Sequence, residues 1–445
     1  MTAGSTQELT QGNLSLHLIH LAIPLVFGNI LQEFYNTIDA FVVGRFAGQE
    51  EFAAIGVAGT VMNLFLFALV GCCTGFSVLF AHAYGQDDLP ELHRQEVSAL
   101  TIGLGCTALL MVLGFVGMHP LLTLLQTPDA LQDYVSIYLR WIFLSLPAAF
   151  LYNLFAALLR SSGDTQAALL VLAAAVGANL VLDFLFVALL SGGIEGAAIA
   201  TALTQIFSAV VCYGYLHHTH RELLLQSSDF RLESSRLCTT LKFGLVSSLH
   251  QCSLYLGKMF VQGAVNTAGT ELIAAYTAGT RIEGFANSIG SSGSTATSIL
   301  TAQNYGANRN DRVEKTFRTS LGWLAALGAL SGVGMFLLAP RAIALLLGSC
   351  EGTAFSAAVS YLRFVALFYP FCFTGNTFTG YYSGTGKVLL PFIGALGHIS
   401  IRVVFSWLLF PYLGLNAVAF ATGFGWLCGN AFWGICKVRM KRRTS

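Results

Sequence analysis

The sequence predicts an all-α integral membrane protein with twelve transmembrane helices in two pseudo-symmetric six-helix bundles. Three observations predict this class: the composition, the length of the apolar segments and an internal repeat. Of the 445 residues, 55% are hydrophobic and 10% are charged, whereas an ordinary soluble domain carries about 25% charged residues. Because so few charges cannot cover a water-facing surface, most of the chain must face lipid or other apolar helices.

The apolar segments are long enough to cross a bilayer as helices. About 20 apolar residues span the hydrocarbon core, and only helices or closed barrels can cross it. The stretch 53–81 is apolar on nearly every face and too long for a barrel strand, which favours helices. Windows of about 19 residues place the spans at 16–44, 52–82, 97–119, 131–159, 166–190, 194–216, 241–268, 271–302, 317–339, 355–382, 388–410 and 413–436.

Lysine and arginine are distributed unequally between the two sides of the membrane. Most of the 23 lie in the connections after even-numbered spans and in the C-terminal tail, and the odd connections hold only Arg45 and Arg341. The positive-inside rule then predicts a cell-membrane protein with both termini in the cytoplasm. The first thirteen residues hold no lysine or arginine, which argues against a cleaved signal peptide. A net charge of +1 argues against a nucleic-acid partner.

The chain repeats itself once. Residues 81–85 match 302–306 at an offset of 221, and 138–140 match 361–363 at an offset of 223. Because each copy holds six spans, both copies have the same orientation and form parallel repeats. We therefore expect an N-terminal bundle over 1–216, a cytoplasmic linker over 217–240, and a C-terminal bundle with a basic tail over 241–445. Two such bundles can rock about a central cavity, which favours a secondary transporter.

Charges inside the predicted spans mark candidate functional residues, because a charge at the bilayer centre costs at least about 2.5–3.5 kcal/mol. In the first bundle, Asp39 and Asp183 fall at similar depths below the outer face, and Thr201 reaches the same level from the sixth span. Tyr35 and Asn179 lie one turn away from the two acids on the same helix faces. These groups suit a proton or a sodium ion; a structural hydrogen-bond cluster is the alternative.

Four further embedded charges are substrate-cavity candidates. Glu33 lies in the first bundle, where it either faces the cavity or fixes helix packing. In the second bundle, Lys258, Glu283 and Arg402 fall near the midplane with Arg281. We expect Glu283 to pair with Lys258 or an arginine, because an unpaired embedded charge is costly. The second set forms either a structural ion-pair network or a wall that senses substrate charge. No catalytic set and no metal-ligand spacing is found, so an enzyme is not expected.

Several segments resemble the multidrug and toxic compound extrusion (MATE) family of efflux transporters of prokaryotic type. They are Phe34–Arg45 in span one, Leu159–Thr165 after span four, Ala178–Asp183 in span five and Ala302–Ala307 after span eight. The combination is specific, and the similarity covers essentially the whole chain. The resemblance implies twelve helices in two lobes and export of small organic compounds by antiport with protons or sodium, with no other cofactor.

By this resemblance, Asp39 and Asp183 match the N-lobe acids that couple the ion. Their matching neighbours are Tyr35, Asn179 and Thr201, and Asn153 in span four is a further substrate-cavity candidate. Some members bind sodium through C-lobe acids in spans seven and ten, where this chain has Lys258 and no acid. The acids of the first bundle favour hydrophobic organic cations as substrates. The alternatives are a flippase for a lipid-linked intermediate, which the cations of the second bundle would suit, and a receptor or channel.

Overall fold

The chain forms thirteen α-helices over the described residues 9–124, 127–225 and 230–444 of a computed structural model; the side chains of 35–41, 49, 124, 443 and 444 are also outside the described set. The helices are α1 Leu14–Phe46, α2 Gln49–Gly85, α3 Leu89–Leu124, α4 Asp129–Ser161, α5 Thr165–Asp183, α6 Gly193–Thr219, α7 Ser234–Asn266, α8 Thr270–Gly306, α9 Asn310–Leu347, α10 Thr353–Ala366, α11 Tyr369–Gly384, α12 Leu389–Leu413 and α13 Leu415–Thr444. A π-helical turn, Phe184–Leu189, continues α5, and a 3₁₀ turn, Arg221–Leu223, follows α6.

Each predicted span coincides with one helix, except the tenth, which is broken in two. Helices α10 and α11 meet at a bend of 51°. Pro370 contributes to the break, because its ring has no N–H and clashes with the carbonyl four residues earlier, at Ala366, where α10 ends. The neighbouring helix α9 approaches closely here: a Cβ on Gly332 would lie 2.5 Å from the Ala366 oxygen.

Eight helices in the described part of the chain are long and apolar enough to cross a membrane, and the bent α10–α11 pair makes a ninth. Helices α7, α8 and α13 fall outside this set by composition. Their interiors carry many glycine, serine and threonine residues, which membrane helices use where their backbones approach closely. A Cβ on Gly380 of α11, for example, would lie 2.4 Å from the Ser294 oxygen of α8.

The chain divides into two compact units, each with its own core. Of the described residues, the first unit comprises those within Pro24–Ser248, and the second comprises Leu9–Ile23 and those from Leu249 onward. Helix α1 therefore passes from the second unit into the first, and α7 passes from the first into the second. Sequence reasoning assigned residues 9–23 to the first bundle, whereas they group with the second unit.

Equivalent positions of the repeat have equivalent environments. Tyr138 and Tyr361 are 1% and 0% exposed, and they anchor the core of the first and second unit respectively. Arg140 and Arg363, two residues later, are both exposed. In the first unit, α4 packs against α2 and α6, and α5 packs against α6. In the second unit, α8 packs against α9, α10 and α11.

Candidate functional site

The candidate site of the first unit lies at the end of α5, where it packs against α6. Asp183 is 0% exposed, Asn179 one turn earlier is 2% exposed, and Thr201 on α6 is 5% exposed. Asn179 Nδ2 and Thr201 Oγ1 make no hydrogen bond to the side chains that the structure describes. A buried carboxyl, amide and hydroxyl on two packed helices offer oxygen ligands for a small cation and a carboxyl that can carry a proton.

The α-helical part of α5 ends at Asp183, and the π-helical turn follows directly. The Leu190 N–H donates to the Leu185 oxygen at 3.0 Å, and the Gly192 N–H donates to the Phe186 oxygen at 2.8 Å. Gly196 of α6 lies so close that a Cβ there would be 2.9 Å from the Phe186 oxygen. The predicted span over 166–190 coincides with the continuous stretch Thr165–Leu189, and the π-helical turn within it lies where α6 approaches closely. π-Helical turns are frequent at functional sites.

The other residues predicted for the first bundle lie in different surroundings or outside the description. The side chains of Tyr35 and Asp39 lie outside the described residues, although both belong to α1. Glu33 is exposed. Asn153 is half-buried, and its Nδ2 donates to the Ala149 oxygen of its own helix at 2.8 Å. The described part of the site is therefore formed by α5 and α6.

The embedded acid of the second unit belongs to a network of tyrosines. Glu283 on α8 is 6% exposed, and its carboxylate accepts a hydrogen bond from the hydroxyl of Tyr361 on α10. The Tyr369 hydroxyl donates to the Glu283 backbone oxygen at 3.4 Å. Tyr276 stands edge-on to Tyr361 at 5.6 Å between ring centroids, and Arg402 on α12 donates to the Tyr276 hydroxyl at 3.4 Å.

The expected direct ion pair of Glu283 is therefore wrong: within the described residues, the ion pairs do not include its carboxylate. Arg402 and Lys258 act on it electrostatically from a greater distance. The Tyr361 hydroxyl reaches the Glu283 carboxylate because α10 packs directly against α8. Sequence spacing does not reveal this contact between the two helices. Lys258 and Arg281 are exposed, and Arg402 is half-buried.

Glu51 holds the start of α6, a contact that the sequence reasoning missed. Its carboxylate, in the first turn of α2, accepts a hydrogen bond from the Ile194 N–H. Ile194 lies in the first turn of α6, where backbone N–H groups have no partner within the helix and a negative charge is favourable. Glu51 thereby fixes the start of α6, which carries Thr201. No local signal identifies this contact, because the two residues are far apart in sequence.

A second polar cluster joins the loop after α4 to the end of α6. Asp164 caps α5 by accepting from the Ala167 N–H at 3.0 Å, and it accepts from the Tyr215 hydroxyl at 3.0 Å. His220 Nε2 lies 3.2 Å from the Asp164 carboxylate, and His220 Nδ1 lies 3.5 Å from that of Glu222. His217 and His218, which precede this cluster on α6, are exposed, whereas His220 is buried.

The two carboxylates determine the charge state of His220. The hydrogen bond to Asp164 raises the pKa of His220, against the opposing effect of burial, and the charge of Glu222 adds to the increase. Burial alone would raise the pKa of Asp164, but the hydrogen bonds from His220, the Ala167 N–H and Tyr215 outweigh it and lower that pKa.

We expect this cluster to make stability depend on pH. Because the folded-state pKa of His220 is raised, protonated His220 contributes its full stabilisation of the folded state below the unfolded pKa of about 6.5. This stabilisation disappears as the pH rises through the folded-state pKa of His220. Thermal unfolding in detergent should show a loss of about 1.5–3 kcal/mol as the pH rises from 6 through the folded-state pKa of His220. His220→Asn should remove this dependence. His218→Asn, at an exposed position, should keep it, and equal pH profiles for the two variants would contradict the assignment.

These features define a class of protein: a multi-pass helical membrane transporter built from two repeats, with a buried acid in the first. The MatE family model matches residues 24–185 and 247–408, one match in each repeat. The chain belongs to the MatE family of multidrug efflux transporters.

Individual relatives agree with this assignment. The chain is 25% identical over 427 residues to a probable multidrug resistance protein, YpnP, of Bacillus subtilis, covering 94% of each chain. It is 22% identical over 357 residues to a probable multidrug resistance protein, NorM, of Chromobacterium violaceum, covering 78% of this chain and 76% of the relative. A crystal structure of a MATE protein in the bent conformation superposes with a TM-score of 0.91 at 22% identity, covering 100% of this chain and 99% of that one. The predicted twelve-helix architecture is confirmed by these structural neighbours.

Proposed function

We propose that this protein exports hydrophobic organic cations from the cytoplasm by antiport with protons or sodium, through alternating access in the cell membrane. The observation that carries the proposal is Asp183, a fully buried acid inside a membrane helix of a MatE-family chain. Relatives named as multidrug resistance proteins support export, and they do not favour the flippase alternative. The charge distribution favours both termini in the cytoplasm.

Asp183, Asn179 and Thr201 are the described part of the proposed coupling site, and Asp39 and Tyr35 complete it by resemblance to the family. In the proposed cycle, the carboxyl of Asp183 binds the coupling ion on one side of the membrane and releases it on the other. If substrate cation and coupling ion compete for the same carboxylates, each binds only when the other has left, which is sufficient for antiport.

The coupling is tested with the purified protein in proteoliposomes that contain a cationic dye. We expect uphill dye transport when a pH gradient or a sodium gradient is imposed, and none when the gradient is abolished. Running the two gradients separately distinguishes proton from sodium coupling. Dye movement that follows only its own concentration gradient would contradict antiport and favour a channel.

Substrate charge is tested by drug-susceptibility profiling of a pump-deficient host that expresses the chain. We expect protection against cationic dyes, lost in Asp39→Asn and kept in Lys258→Ala, because the carboxylates attract the cation. Protection only against anionic compounds, lost in Lys258→Ala, would refute the cation proposal. Lys258 is the informative comparison because it is a cation of α7 whose loss should weaken the binding of an anionic substrate but not of a cationic one.

A further inference from the structure

The backbone that leads into α1 is held by one arginine of the second unit. Arg312, in the first turn of α9, donates from Nη2 to the carbonyl oxygens of Leu9 at 3.3 Å and Gln11 at 3.1 Å. Its Nη1 donates to the Gly12 oxygen at 3.2 Å. The planar guanidinium presents five donors in a fixed fork, so a single side chain binds three carbonyl groups of an irregular segment.

Asn304 completes this contact. It is 0% exposed, its Oδ1 accepts from Arg312 Nε at 2.8 Å, and its Nδ2 donates to the Leu9 oxygen at 3.2 Å. Arg309 adds a hydrogen bond to the Thr10 oxygen at 3.1 Å. The segment Ala302–Ala307, singled out by sequence as typical of the family, thus supplies a side chain that positions Arg312 on the N-terminal segment.

The first unit holds the start of α7 in a comparable way. Arg236, in the first turn of α7, donates to the carboxylates of Glu91 on α3 and of Glu233, the latter at 2.7 Å. The side chains of Arg236 and Glu91 are each 21% exposed. One turn further along α7, the Thr240 hydroxyl donates to Gln95 Oε1 of α3 at 3.5 Å.

The internal repeat makes these two contacts equivalent. At the offset of 221 residues, Glu91 corresponds to Arg312. Arg312, in the second half of the sequence, binds the segment before α1, the first helix of the first half. Glu91, in the first half, binds the start of α7, the first helix of the second half. Residues 9–23 group with the second unit, and α7 as far as Ser248 groups with the first. A displacement of the segment before α1 away from Arg312, or of the start of α7 away from Glu91, would break these hydrogen bonds.

We propose that these two contacts are conformational latches of the transport cycle, which engage and release together: Arg312 with Asn304 on the lead-in to α1, and Glu91 on the start of α7. The charged side chains of both latches, Arg312, Arg236 and Glu91, are half-buried, so water can reach these groups when their hydrogen bonds break. That property suits a reversible contact better than a permanent anchor. The proposal concerns the step that regulates access and rests on the proposed transport function.

The test measures amide hydrogen exchange in the full chain, reconstituted in lipid nanodiscs. In Arg312→Gln, exchange in residues 9–23 should rise by about tenfold or more, because local opening becomes easier. If the latches are coupled, exchange in 234–248 should rise as well, although those residues group with the other unit. Arg318→Gln is the matched control: Arg318 lies on the same helix, is 70% exposed and pairs with Glu314, and its loss should leave both segments unchanged.

A rise confined to 9–23 in Arg312→Gln would overturn the proposal, because a local anchor predicts that result. Arg312→Lys is the second variant if the glutamine variant fails to fold; it keeps the charge but loses the fork geometry, and the same two segments should respond. In the first unit, Glu91→Arg should raise exchange in 234–248 and in 9–23, and the swap Glu91→Arg with Arg236→Glu should restore both. Failure of the swap to restore exchange in 9–23 would equally count against coupled latches.

Transport provides an independent readout. Uphill dye export should change at least about fivefold in Arg312→Gln and stay at the wild-type level in Arg318→Gln. Wild-type export in Arg312→Gln, despite loosened lead-ins, would overturn the role of the latches in the cycle. The exchange measurement does not depend on substrate. If the wild-type protein showed coupled opening of the two latches but no uphill transport, the proposed transport function would be contradicted, whereas the coupling between the latches would remain supported.

Discussion

Replacing Asp183 by asparagine is expected to reduce uphill export to the level of protein-free vesicles, while the protein still inserts and folds. Asparagine has nearly the same volume as aspartate and removes the charge that is costly to embed, so the helix should tolerate it. It cannot exchange a proton or neutralise a cation, and the imposed gradient would therefore no longer drive substrate. The measurement is dye transport in proteoliposomes with an imposed pH or sodium gradient.

Two variants control this experiment. Asp183→Glu keeps the carboxyl and should retain part of the uphill transport. Asp133→Asn, at an exposed position of α4, makes the same chemical change away from the site and should transport as the wild type does. Undiminished uphill export in Asp183→Asn, at equal protein per vesicle, would show that the ion is coupled elsewhere.

The helix count was accessible to sequence reasoning because it depends on local properties. Long apolar segments specify most of the membrane helices through composition, and each of the twelve predicted spans coincides with a helix, with α5 and its π-helical turn, or with the bent α10–α11 pair. The break itself was not predicted. Pro147 and Pro370 are equivalent in the repeat, yet Pro147 lies inside the continuous helix α4 and Pro370 begins a new helix after a bend. Tertiary packing therefore decides how the chain responds to the same residue.

The candidate site was only partly accessible for the same reason. Embedded charge identified Asp183 and Glu283, because the cost of burial is a property of the residue type. Their partners depend on which helices meet. The hydroxyl of Tyr361 and the carboxylate of Glu51 enter through contacts across 78 and 143 residues of sequence. The π-helical turn after Asp183 likewise depends on the close approach of α6.

The two units use their embedded acids in different chemical settings. In the first unit, Asp183 lies at the end of α5, one turn after Asn179, and no tyrosine network around it is described. In the second unit, Glu283 accepts from Tyr361, and Arg402 donates to Tyr276. A carboxylate that is bound by a tyrosine hydroxyl within such a network suits a fixed structural role. This difference favours the first unit as the place where the coupling ion exchanges.

A structural role for Glu283 predicts a large loss of stability in Glu283→Gln. Glutamine still accepts the hydrogen bond from Tyr361, but it removes the negative charge that compensates Arg402 within the second unit. Breaking a buried charge pair costs about 3–5 kcal/mol, and we take this as the upper limit because the two groups interact at a distance. Thermal unfolding in detergent should therefore occur at a clearly lower temperature than for the wild type.

A double-mutant cycle separates charge compensation from local packing. If Glu283 compensates Arg402, the double variant Glu283→Gln with Arg402→Gln should lose less stability than the two single losses together, by at least about 0.5 kcal/mol. Tyr361→Phe should cost about 1–3 kcal/mol, because it leaves the buried carboxylate without its donor. Glu351→Gln, in the exposed loop before α10, should unfold as the wild type does. Wild-type stability in Glu283→Gln would show that this carboxylate is free of Arg402, and the second unit would then become a place for substrate or coupling ion to bind.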